Sequence, residues 1–256
     1  MLRSLRSKPL AVCLRSLLLL LGVIGVMWPA LGRAPLSSAA LAQDITERLL
    51  AGDRFQSGRL TGVLASIHFV PEPRPKSARL ARAEALIWLR IAERELERNG
   101  PEQMDRDEAT ARDKVISSLA LNPTDSCLWL MLYSIEVLRN GFDPRAVGFL
   151  TQSYATGPLE GWVALRRNSV ALAAFESLSE VMQTSVVSEF AGLVDSDFTD
   201  AAALNLIGVG WEWRGRLLSG LVNVDLIPRE AFAKRVARDG VTISVPGIQL
   251  DERWWR

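Results

Sequence analysis

Between residues 44 and 240 the apolar side chains recur every three or four positions, and turn signals of only two to five residues divide the runs. Helices joined by connectors this short must fold back antiparallel on their neighbours. The pattern therefore predicts an all-α body. Helices are expected over 44–51 and 56–67, divided by Gly52-Asp53, and then over 77–98, beyond the stiff Pro71-Glu72-Pro73-Arg74-Pro75 connector. The 77–98 helix places Leu80, Ala83, Ile87 and Ile91 on one face, with Ala81, Ala85, Trp88 and Ala92 beside them. On its wet side, Arg90 and Glu93, and Arg94 and Glu97, stand three apart. Asn99-Gly100-Pro101 stops it. Further helices follow over 105–120, 125–139, 144–155, 159–173 and 178–194, then 200–221 (loosened by Gly208, Gly210 and Gly215) and 228–238. Asp143 before Pro144 reads as an N-cap followed by a proline where no amide partner is needed. Residues 241–245 alternate as a short strand would, end at Pro246-Gly247, and are expected to lie on the body.

The first 42 residues read differently. Four positive charges in residues 1–15 precede the apolar run 17–28 (LLLLLGVIGVMW), the order of a secretory targeting segment that leaves its N-terminus in the cytoplasm. Two outcomes follow. Cleavage after Ala40-Leu41-Ala42 would make Gln43 the first mature residue, although the approach to that site is long. Retention would use the uncharged stretch 16–32 as an anchor of 17 residues, at the short limit for spanning a bilayer. Either way the body, residues 43–240, and its tail, 241–256, lie across the membrane from the ribosome, in the periplasm or on the periplasmic side of the inner membrane. Cys13 precedes the apolar run, so it is not a lipoprotein cysteine, and Cys127 in the body has no partner for an internal disulfide.

Charge and composition exclude some work. The net charge of +1 includes five basic residues and no acid before Gln43, which leaves 25 basic against 29 acidic residues beyond it, a net −4. A nucleic-acid surface needs a clustered basic face, so nucleic acid is not an expected partner. With 48% hydrophobic residues in 256, the chain has material for one sizeable core.

Within the helical series there is a repeat. Ser118, Ala120 and Pro123 recur as Ser153, Ala155 and Pro158, a shift of 35 residues. Ser118-Leu119-Ala120-Leu121-Asn122-Pro123 ends one unit, and Trp129 with Leu132 opens the next. Ala146, Leu150, Ser153 and Pro158 follow, and Trp162 with Leu165 opens another. Over residues 111–165 the chain resembles the tetratricopeptide repeat family. The departures are Tyr133, where the family has glycine or alanine, Glu136, where it has an aromatic, one extra residue in the Gly141-Phe142-Asp143 turn, and a shorter turn after Pro158. The resemblance implies antiparallel helical hairpins stacked as a short superhelix, a non-enzymatic scaffold, and a concave face that holds a protein partner. For proteins at this address it also implies envelope assembly, including surface-polysaccharide assembly. In the family the first helix of each hairpin lines the concave face, which nominates Tyr133, Glu136 and Arg166.

No chemistry-bearing constellation competes with that reading. His68, the single histidine, sits between Ile67 and Phe69 and reads as packing, so histidine triads and histidine metal sites are absent by count. Cys127 reads as an inert buried thiol. The acidic runs Glu93/Glu95/Glu97 and Asp105/Asp107/Glu108 read as solvated helix faces. Gly208-Val209-Gly210 lies within an expected helix and lacks the strand that a phosphate loop requires. No cofactor or metal is expected. Trp88, Trp129 and Trp162 read as core. Trp211 and Trp213 stand two apart, so one of them must leave the buried face, which makes both candidates for contacting a partner. Trp254 and Trp255, between arginines at the end of the chain, read as a folded-back tail. An α-helical carbohydrate-active enzyme or carbohydrate binder is the alternative from another class, favoured by a groove with paired carboxylates and an exposed tryptophan.

Overall fold

The computed structural model describes Thr46, Gly62, Leu64, Ala65 and residues 77–95, 101–158 and 160–249. Every regular element among them is helical, as the apolar period requires. The targeting segment with Cys13, the proline connector, His68, Glu97, and Trp254 with Trp255 lie outside the described residues. So do the first two expected helices, apart from the helical Thr46, Gly62, Leu64 and Ala65. No helix of the described residues is long and apolar enough to cross a membrane. The chain divides into two compact units, Met1–Leu121 and Asn122–Arg256.

In the first unit, α1 (Ala78–Glu95) packs on α2 (Pro101–Leu121). The buried stripe of α1 is built on alanine: Ala83, Ala85 and Ile87 are fully inaccessible, and Ala81 is buried beside them. Small side chains let α2 come close, and it presents Ala111, Val115, Ser118 and Leu119. Glu84 is also buried, and it receives Lys114 of α2 at 2.5 Å. Arg90 and Glu93 pair at 2.6 Å, as their spacing predicts. Pro101 opens α2 instead of merely ending the turn before it. Its missing amide has no partner at a first helical position, so the helix begins four residues earlier than 105.

The second unit begins with the hairpin α3 (Ser126–Asn140) and α4 (Val147–Thr156). Asp125 caps α3 through the Leu128 amide (3.2 Å), and Asp143 accepts from the Arg145 amide (2.9 Å). The buried Asp125 cap stabilises by about 1 kcal/mol. The extra residue before Asp143 is absorbed by Gly141, at φ +71°, and by a 3₁₀ turn at Pro144–Ala146 that precedes α4. Trp129 is half-buried, stacks on Phe149 at 6.1 Å and donates to the Pro123 carbonyl at 2.8 Å.

Then come α5 (Gly161–Ala173), α6 (Glu180–Asp195), α7 (Thr199–Ile207), α8 (Arg214–Gly220) and α9 (Leu226–Arg238). Helix α6 touches α5, α7, α8 and α9 and forms the axis of this body. Val186, Phe190 and Val194 of α6 are fully buried, and Phe190 meets Phe232 of α9 edge-on at 5.8 Å.

Three expectations need correction. The 200–221 helix is broken into α7, a 3₁₀ turn at Trp211–Trp213, and α8. The Gly210 amide turns back to the Asn205 carbonyl at 2.8 Å, and a Cβ on Gly210 would lie 2.8 Å from that oxygen and 2.9 Å from Leu217. Gly208-Val209-Gly210 therefore ends a helix and does not lie within one. Trp162 is 43% exposed, because α5 buries the stripe Val163, Ala164, Arg167, Ala171 and Leu172 and points its neighbour outward. Residues 241–245 form no strand; Val245 is buried, and the Pro246 carbonyl next to it accepts from Arg229 of α9 at 2.9 Å.

Candidate functional site

Of the residues nominated for a concave face, Tyr133 is not available: it is 3% exposed, inside the hairpin, and burial pushes its phenol above the ordinary range. Glu136 lies one turn further along α3, half-buried, and accepts from Asn140 at 3.1 Å. Arg166 is on α5 and exposed.

Trp211 and Trp213 separate as their spacing demands. Trp211 is 38% exposed, with the Arg214 guanidinium 4.6 Å from its ring centroid. Trp213 turns inward onto Phe175 at 4.9 Å, and Arg216 covers the same Phe175 ring at 5.5 Å while donating to Gln183. Trp213 is thus a packing residue with a half-buried ring, and Trp211 the accessible one.

Two arrangements went unnoticed in the sequence. The first is a buried polar knot around Arg167, which has no exposed surface. Its Nε and Nη2 donate to Glu189 Oε1 at 2.9 and 2.6 Å, Nη1 to the Ser153 carbonyl at 2.6 Å, and Nη2 also to the Gly157 carbonyl at 2.9 Å. Tyr154 donates to the other Glu189 oxygen at 2.6 Å, and its ring lies 4.2 Å below the guanidinium. Ser153 Oγ donates to the Ser126 carbonyl at 2.8 Å; Asn168 donates to the Val186 carbonyl and accepts from Asn205 at 3.1 Å. Burial raises the Glu189 carboxyl against the opposing pull of Arg167 and Tyr154, and burial, aided by Glu189, raises the Tyr154 phenol. Both Glu189 oxygens and all three Arg167 nitrogens are engaged. A site saturated in this way fastens helices and leaves no group free for a substrate.

A signal for the knot did exist. Arg166 and Arg167 differ by one helical step of about 100°, and only Arg167 falls in phase with Ala164 and Ala171. Likewise Glu189 stands in phase with Val186 on the apolar side of α6.

The second arrangement is an open groove of about 620 Å³ between the start of α7 and the outer face of α9. Phe198, Ala201, Ile227 and Ala231 give it apolar walls, and Ile227 is 80% exposed. Asp197, Asp200 and Glu230 line it together with Lys234, Arg235 and Arg238, so both signs are interspersed. Arg235 bridges Asp200 of α7 (2.6 Å) and Asp239 at the end of α9, which fixes the two sides relative to each other and raises its own pKa. Among the described residues, no group of three or more His, Cys, Asp or Glu converges as a metal site would require. No protein-family model, no curated protein and no solved structure matches this chain.

Proposed function

We propose that this chain is a non-enzymatic helical scaffold, exported or anchored through its first 42 residues, that holds a protein partner in the cell envelope. The observation that carries the reading is the α7–α9 groove. Its lining combines exposed apolar side chains with charges of both signs, the two ingredients of a protein-binding patch. A partner segment with one large apolar side chain flanked by charged ones suits it. The repeat in residues 111–165 supports the same reading, with tetratricopeptide-like hairpins as the frame and assembly of envelope or surface polysaccharide as the setting. Trp211 is the accessible aromatic from which a second contact would be made.

The test is photo-crosslinking in cells from position 227, with position 166 as an exposed control on another helix. The partner trapped at 227 is then purified and titrated against wild type, Ile227→Asp and Lys234→Glu. Loss of affinity of about tenfold or more for Ile227→Asp, with helicity unchanged, is the expected outcome. Equal trapping at both positions, unchanged affinity, or release of sugar from envelope polysaccharide by the purified protein would each defeat the proposal. The paired reversal Glu136→Lys with Arg166→Glu separately tests the face that the repeat resemblance nominates.

A further inference from the structure

We infer that the Arg167 knot is a latch: it closes the α3–α4 hairpin onto the α5–α9 body, and that hairpin opens as a unit when the latch fails. Several polar bonds that cross this boundary lie close together. Ser126 of α3 donates to Glu160 at 2.5 Å, Tyr154 of α4 reaches Glu189 of α6, and Arg167 of α5 takes the Ser153 and Gly157 carbonyls at the end of α4. Each of those carbonyls also accepts from a backbone amide, and they lie at the helix end where the dipole favours a cation. A single guanidinium therefore ties the end of α4 to two helices of the body.

The ring–ring contacts lie on one side or the other. Trp129 stacks on Phe149 within the hairpin. Phe190 on Phe232 and Phe175 on Trp213 lie within the body. Across the boundary α3 also packs on α5, and the Tyr154 ring lies against the Arg167 guanidinium.

Arg167 and Glu189 both belong to the body and stay paired when the hairpin lifts. What the opening breaks are the bonds from Arg167 to the Ser153 and Gly157 carbonyls and from Tyr154 to Glu189. Until water reaches them, these groups are desolvated without their partners, which makes a half-open hairpin unfavourable.

Native-state hydrogen exchange on the full chain, without any variant, is the first test. With added denaturant below the unfolding range, amides of 126–156 should exchange through an opening that leaves those of 182–194 and 230–236 protected. Tyr154→Phe, which removes a bond that the opening breaks, should raise the exchange of 126–156 by about tenfold. Leu172→Ala, a cavity within the body, should raise exchange in α6–α9 and leave that of 126–156 within about twofold of wild type, since the open form keeps the body folded. If 126–156 and α6–α9 open together in the wild type, or Tyr154→Phe leaves the exchange of 126–156 unchanged, the latch is refuted. Should either variant fail to fold, the wild-type measurement alone decides.

Discussion

The two ends of the second unit bury their interiors to the same degree by opposite means. Around α6 and α9 the contact is aromatic and aliphatic: Phe190, Phe232, Val186 and Val236 have no accessible surface, and Gly210 brings backbone within reach of Leu217. Between α4, α5 and α6 the interior is a guanidinium, a carboxylate, a phenol and two backbone carbonyls. Apolar packing tolerates error gradually, because what is lost scales with area and cavity volume. The polar end tolerates very little, because any unpaired member is left desolvated. Residues equally buried at the two ends should therefore respond to substitution in different ways.

Truncation of the knot should give the largest effect. Arg167→Ala leaves the Glu189 carboxylate buried without its cation and should cost about 3–5 kcal/mol in urea unfolding. Replacing both partners by apolar residues of similar size and the phenol with them, Arg167→Met with Glu189→Leu and Tyr154→Phe, should recover most of that loss. A triple variant as unstable as the single one would show that the two ends do not differ in the way described.

Two tryptophans separate half-buried from exposed surface. Trp129→Ala should cost about 1.5–3 kcal/mol, since the ring is half-buried and bonded to Pro123. Trp162→Ala should stay below about 1 kcal/mol, because that ring is 43% exposed. Equal losses at both would contradict this difference in burial.

Glycine-to-alanine substitutions should differ in sign. At Gly210 the new methyl meets the Asn205 carbonyl at 2.8 Å, so a loss of about 1–3 kcal/mol is expected. At Gly148 on α4 nothing lies within 4 Å of the new methyl, and helix propensity should give a gain of about 0.5–1 kcal/mol. Thermal melts of the two variants check both.

The smallest effect is one of titration. The chain has two tyrosines, Tyr133 and Tyr154, and both phenols are raised by burial above the ordinary value of about 10. A raised pKa in the folded state contributes stability that is complete below the unfolded value and is lost as pH climbs through the folded one. Near-ultraviolet absorbance should therefore show tyrosinate appearing at higher pH in the folded chain than in the chain unfolded in urea. Ionisation of one tyrosine at ordinary pH in a helical protein would contradict the buried placement.

How far the sequence could be read follows from which interactions are local. Helix positions, the antiparallel return of neighbours and the caps at Asp125 and Asp143 all depend on residues within a turn or two of each other, and these were legible. The break at Gly208 and Gly210 was not, because those glycines are demanded by Leu217 and by the backbone of α7, contacts that exist only once the chain has folded. The family position of Tyr133 is compatible with either repacking or a groove, and burial decides for the former. Arg167 carries a charge, and only the helical phase of α5 points it inward. The α7–α9 groove joins residues about 30 apart through helix packing that no local pattern encodes.

Cys127 sits at the first turn of α3 with 2% of its surface accessible, on the hairpin that the Arg167 knot holds down. On the proposed latch, a thiol reagent reaches it when that hairpin lifts, so the rate at which the cysteine is modified reports the opening. The hairpin would thereby carry a built-in clock, readable from the mass of a single adduct in a chain whose other cysteine, Cys13, has been changed to serine.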